Sequence, residues 1–179
     1  MIILLNGAFG VGKTSLAEKI AREHESFMLF DPEEVGFMLR NVIPKSFNKA
    51  HENTGDFQDL DVWRKLTVDV LKALKDQYQC HFVIPMTLRN AKYRDDIEIG
   101  LQDIDEEVHI ILLEATKETI HRRLLERGDA PQSWAFDQTD KCLEDFKLIK
   151  NAWVIDAETM TIEDIYKRIK EKLMIGGLS

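Results

Sequence analysis

The sequence predicts a three-layer α/β fold, with a five-stranded parallel sheet flanked by helices. Three observations carry this. Short apolar runs recur along the chain without polar alternation, as strands buried on both faces require. Stripes of helical period lie between them. A glycine-rich break separates the first run from the first stripe. Strand and helix in strict alternation imply parallel pairing with helices on both faces.

The first run is Ile2-Ile3-Leu4-Leu5, and residues 7–12 interrupt it with three glycines. A helix is expected to start near Lys13, carrying Leu16, Ala17, Ile20 and Ala21 on one face. Residues 27–30 form the second run; Asp31-Pro32 closes it, and the proline suits the first turn of a helix. Val35, Leu39 and Val42 mark that helix's expected apolar face. Residues 44–59 are polar and read as a loop or lid. Trp63, Leu66, Val70 and Leu74 then form a helical stripe.

Residues 81–86 read as the third strand, residues 90–102 as a charged helix and residues 108–113 as the fourth strand. Thr116 can cap the next helix, which carries Ile120 and Leu124. Residues 128–133 read as a loop, residues 134–148 as a helix and residues 152–155 as the fifth strand. Thr161 and Asp164 form a capping-box-like start to the last helix, with Ile165, Ile169 and Leu173 facing inward. Repeats and linkers are absent, so residues 1–179 are expected to form one domain.

Composition narrows the function. The chain has 24 Lys and Arg against 32 Asp and Glu, a formal net charge of −8. Nucleic-acid binding needs a surplus of the former, so such a partner is not expected. A hydrophobic fraction of 44% suits a globular core. No apolar run approaches the roughly 20 residues of a bilayer span. Cys80 and Cys142 form no paired motif and predict reduced thiols in a cytoplasmic protein. The scattered histidines suggest no zinc site.

Residues Gly7-Ala-Phe-Gly-Val-Gly-Lys-Thr14 match G-x-x-x-x-G-K-[ST] between a predicted strand and a predicted helix. That is the phosphate loop of the P-loop NTPase fold. Its glycines let backbone N–H groups turn toward phosphate oxygens, and the helix N-terminus adds partial positive charge. Gly7, Ala8, Phe9, Gly10, Val11, Gly12, Lys13, Thr14 and Ser15 are therefore the expected ATP contacts. Lys13 would reach the outer phosphates and Thr14 would ligate Mg²⁺. No Asp precedes a glycine by three residues, and Asn48-Lys49-Ala50-His51 lacks a base-reading Asp, which argues against a GTPase.

The short chain, with its early phosphate loop and expected late lid, resembles the small P-loop kinases, such as shikimate, gluconate and nucleoside-phosphate kinases. Several separated blocks resemble the bacterial tunicamycin-resistance ATP-binding proteins. These are residues 3–14, residues 31–40, Asp56-Phe57-Gln58 with Trp63-Arg64, residues 83–87, and the stretch from Thr116 to Trp134. The resemblance implies an ATP-binding kinase fold linked to antibiotic resistance.

Phosphoryl transfer needs positioned charge. The third strand ends Pro85-Met86-Thr87, with no acid for a second Mg²⁺ anchor. Asp31, after the second strand, is the expected replacement: a metal ligand, an acceptor of the substrate's hydroxyl proton, or an N-cap. Glu34, Arg40, Gln58, Arg64 and Thr87 are candidate substrate contacts. Arg122, Arg123 and Arg127 lead into a lid at about residues 122–136. Arg123 and Arg127, four apart, are the catalytic candidates there. Ser133 and Trp134 are candidates to shape the lid, with plain core or cap packing the favoured reading of Trp134.

The expected function is transfer of the ATP γ-phosphate to a hydroxyl of a metabolite, sugar acid or nucleoside-like antibiotic. The alternative is an ATP-binding protein that sequesters a drug with little or no transfer. A monomer or homodimer is expected in either case.

Overall fold

A computed structural model describes residues 1–175. Its five strands are β1 (Ile2–Gly7), β2 (Phe27–Leu29), β3 (His81–Pro85), β4 (Val108–Glu114) and β5 (Trp153–Asp156). They form one parallel sheet in the order β2-β3-β1-β4-β5. Among the described residues, seven α-helices connect and cover it: α1 (Lys13–Glu23), α2 (Pro32–Val42), α3 (Asp61–Tyr78), α4 (Ala91–Gln102), α5 (Lys117–Arg127), α6 (Trp134–Phe146) and α7 (Ile162–Leu173).

Strand periodicity separates the core into two layers. Ile3 and Leu5 of β1, with Val83, Ile111 and Leu113, pack under Leu16 and Ile20 of α1 and Ile165 and Ile169 of α7. Ile2 and Leu4, with Phe82 and Ile84, face Val35, Trp63, Leu71 and Ile97 of α2, α3 and α4. Beyond β4, Leu112 meets Ile120 and Leu124 of α5 and Phe146 of α6. No residue of β1 could face water, which explains its lack of polar alternation.

The expected elements form, with shifts at their ends. β5 lies one residue later than expected, and α6 stops at Phe146 rather than 148. Phe30 falls outside β2, although its N–H still donates to the Val83 carbonyl at 3.0 Å. Residues 44–59 contain three short 3₁₀ turns, at Lys45–Phe47, Ala50–Glu52 and Phe57–Asp59. Val42 departs from its expected place on the apolar face of α2: it is exposed at the helix's final residue.

β1 is the central strand, paired with β3 on one side and β4 on the other. Its last residues anchor the neighbouring loop. Asn6 is fully buried; its Oδ1 accepts from the Gly7 and Leu88 N–H groups at 2.8 and 2.9 Å. Its Nδ2 donates to the Leu88 carbonyl at 3.0 Å. One side chain thus fixes the segment after β3 against the start of the phosphate loop. Asn6→Ala leaves those groups buried without partners, so a loss of about 2–4 kcal/mol is expected in urea unfolding. A loss below about 1 kcal/mol would mean that Asn6 does not anchor this junction.

Candidate active site

The site lies at the C-terminal edge of the sheet, where open α/β sheets take ligands. A cavity of about 700 Å³ runs over the loop between β1 and α1. Gly10 has φ +79°, and a Cβ there would lie 2.9 Å from Leu124 of α5. Only glycine combines that backbone with that approach. The first amides of α1 have no intrahelical acceptor and open toward the cavity.

Lys13 is the first residue of α1, and its side chain turns back along the loop. Its Nζ donates to the carbonyls of Gly7 and Ala8, both at 2.8 Å. Removal from water pushes the ammonium down to about 7, with Arg127 adding to the effect and Cys142 and Glu33 opposing it. A buried cation bonded to neutral carbonyls lacks an anion. Together with the glycine cradle and open amides, it fits a polyphosphate.

The remaining expected residues separate. Asp31 lines this cavity and caps α2, accepting from the Glu33 N–H at 2.9 Å. Arg123 also lines it, but two carbonyls hold its guanidinium: Val11 at 3.1 Å and Ala157 at 2.8 Å. It bridges the phosphate loop to the segment after β5. Arg127 lines the same cavity and donates to Asp129 at 2.6 Å, a bond that raises the arginine's already high pKa. Arg122 points elsewhere, pairing with Glu126 on the surface.

A second cavity, of about 340 Å³, adjoins the first and shares Phe9, Glu33, Met86 and Thr87 with it. Arg40 and Gln58 line it as expected. Arg40 lies over the Phe57 ring, 3.8 Å from its centroid, and donates to the Gly55 carbonyl. Gln58 donates to the Thr87 carbonyl at 2.8 Å. Trp134 stacks edge-on against Phe9, with centroids 5.0 Å apart. The Ser133 hydroxyl is buried without a partner among the described residues and makes no helix cap.

Two expected substrate residues are not brought to either cavity. Glu34 is exposed on α2 and lines neither cavity, whereas its equally exposed neighbour Glu33 lines both. Arg64 is buried in a polar hub: it pairs with Asp61 at 2.7 Å and Asp96 at 3.2 Å, and lies over the Tyr93 ring. Its fork is used within the fold, where it ties α3 to α4.

Glu33 is the acid that sequence reading missed. It lines both cavities, and partial desolvation followed by the nearby Asp31 charge pushes its carboxyl above the ordinary carboxylate value. Only the helical phase of α2 distinguishes it from Glu34. Asp56 was also missed; burial raises its carboxyl too. Met160, Thr161, Ile162 and Ile165 extend the first cavity beyond Arg123. No local motif marks them, since the fold alone brings the chain after β5 beside the phosphate loop.

A family model described as an AAA domain matches residues 2–149. The chain belongs to this AAA-domain family. Solved structures share its fold. The tunicamycin resistance protein of Deinococcus radiodurans superposes with a TM-score of 0.77 at 25% identity, over 96% of this chain and 94% of that one. A sugar kinase from a Janibacter species gives 0.67 at 20% identity, over 98% and 95%. A gluconokinase from Sinorhizobium meliloti gives 0.63 at 16% identity, over 97% and 95%. No curated protein matches the sequence. Among the described residues, no helix of this AAA-domain protein is long and apolar enough to cross a membrane.

The position of Lys13 gives a pH dependence. Between about pH 7 and the ordinary lysine value of 10.5, the unfolded chain holds more proton at this residue than the folded one. Stability of the ligand-free protein therefore gains from Lys13 as pH rises through that window. Below both values the contribution is constant. Urea unfolding of the protein and of Lys13→Met, from about pH 6 to about pH 9.5, should show the difference shifting in favour of the lysine as pH rises. A pH-independent difference would contradict the burial of its charge.

Proposed function

We propose that the chain is an ATP-dependent phosphotransferase that phosphorylates a hydroxyl of a small molecule. One observation carries this reading. The phosphate-loop cavity adjoins a second cavity of small-molecule size, and Glu33 and Thr87 line both. MgATP would supply the phosphoryl group, from the cytoplasm where the thiols of Cys80 and Cys142 stay reduced.

The residues divide the work by position. The loop amides and Lys13 would hold the phosphates, and Thr14 and Asp31 would hold Mg²⁺. Asp31 suits the metal better than the acceptor, because it lines only the first cavity. Glu33 suits the acceptor's proton: its carboxylate spans the seam, and its raised pKa makes it a stronger base than an ordinary carboxylate. Arg127, across the first cavity, would offset charge on the transferring group. Arg123 would position the loop through Val11 and Ala157.

A second reading has its own support. β3 ends Pro85-Met86-Thr87 without an acid, and the Deinococcus resistance protein shares the architecture. An ATP-dependent protein that sequesters a drug would fit both facts.

Labelled MgATP offered with alcohols, nucleosides and tunicamycin separates the readings. A phosphorylated product supports transfer; saturable tunicamycin binding without one supports sequestration. Under transfer, Glu33→Gln should lose about 10²–10⁴-fold in turnover while keeping the thermal shift with MgATP. Lys13→Ala should lose that shift, worth about 2.7 kcal/mol at one hundred times the dissociation constant. Full turnover in Glu33→Gln would remove it as the base, and an unchanged shift in Lys13→Ala would remove the loop as the nucleotide site.

A further inference from the structure

The second cavity also carries information about what it accepts. Aromatic rings form much of its wall: Phe9, Phe37, Phe57, Trp63 and Trp134. Phe37 meets Phe57 edge-on with centroids 5.2 Å apart. The wall is built in from α2: a Cβ on Gly36 would lie 2.4 Å from the Phe57 ring, so glycine is what lets the inserted segment seat there. Trp63 is fixed by its indole N–H, which donates to the Pro32 carbonyl at 3.0 Å. A flat apolar body suits such a wall.

Thr87 supplies a polar anchor. It is only 7% exposed, and Gln58 occupies its carbonyl. Thr87 lines both cavities. Its hydroxyl, on a nearly buried residue that shares both cavity walls with Glu33, is placed to meet a substrate hydroxyl.

Charge sets the rest. Glu33 and Asp56 both line the cavity, and among the described residues neither carboxylate is hydrogen-bonded to a cation. Arg89 pairs with Asp145 at 3.0 Å, and Arg127 pairs with Asp129. Arg40 is the cation of this wall: it lies flat on Phe57, donates to the Gly55 carbonyl and has no carboxylate partner among the described residues. Two carboxylates stand against that one guanidinium, so the wall is net acidic and disfavours an acidic ligand. An ammonium would meet two acids and several ring faces.

We propose that this cavity selects a hydroxyl compound with a flat apolar body and no acidic group, and that an ammonium on that body strengthens binding. The inference deepens the acceptor role assigned above and rests on it. It disfavours the sugar acids among the acceptors that the sequence left open.

Three matched probes test it on the full chain, with Mg²⁺ and a non-hydrolysable ATP analogue present: benzyl alcohol, para-(aminomethyl)benzyl alcohol and para-(hydroxymethyl)benzoate. Ligand-observed NMR titration should rank the ammonium tightest and the carboxylate weakest, about tenfold apart. Asp56→Asn preserves the capping oxygen and should reduce that gap to about threefold. Phe57→Leu should weaken all three while keeping their order. A carboxylate that binds as tightly as the ammonium, an undiminished gap in Asp56→Asn, or no binding of any probe while the analogue binds would overturn the proposal. With ATP in place of the analogue, the expected ranking without phosphorylated probe would uphold the selectivity and defeat the transfer reading.

Discussion

The site depends on one folded-back side chain. Lys13 begins α1, yet its ammonium returns to the carbonyls of Gly7 and Ala8 and holds the loop closed on itself. That arrangement places a cation in a buried position with no anion beside it. The cost is visible in the lowered lysine pKa, and it is a cost that a phosphate would relieve. The glycines, the open amides of α1 and the grip of Arg123 on Val11 all keep this loop in one shape.

The sheet makes the arrangement possible. β1 is central, so its C-terminal end lies between loops from both neighbours. Asn6 holds the segment after β3 in place, which brings Thr87 to the seam of the two cavities. α2 brings Asp31 and Glu33 from beside the neighbouring edge of the sheet. The chain after β5 completes the far wall through Ala157 and Ile162. Segments from separate parts of the chain thus serve two adjoining cavities.

The fold was legible because its signals were local and repeated. Five apolar runs needed cover on both faces, and the stripes between them supplied it. The phosphate loop was legible because glycine spacing and lysine position are themselves the chemistry. The acceptor side was less so. Glu33 and Glu34 are adjacent exposed acids at one helix start, and only the rotation of α2 brings Glu33 to the cavity walls. Arg64 looked like a ligand contact because it flanks the polar loop, but Asp61 and Asp96 already occupy its guanidinium. Asp56 and Phe57 lie in a polar stretch with no periodicity, and their place follows from packing against Gly36. Tertiary contact decided each of these.

The central claim is that residues 7–14 form the polyphosphate cradle and that the segment after β5 closes its far side. Amide hydrogen exchange followed by mass spectrometry, with and without Mg²⁺ and a non-hydrolysable ATP analogue, tests it most directly. Exchange at the first turn of α1 should slow sharply on ligand addition, with slower exchange also across residues 157–162. Unchanged exchange at the loop, alongside saturated ligand binding, would contradict the account.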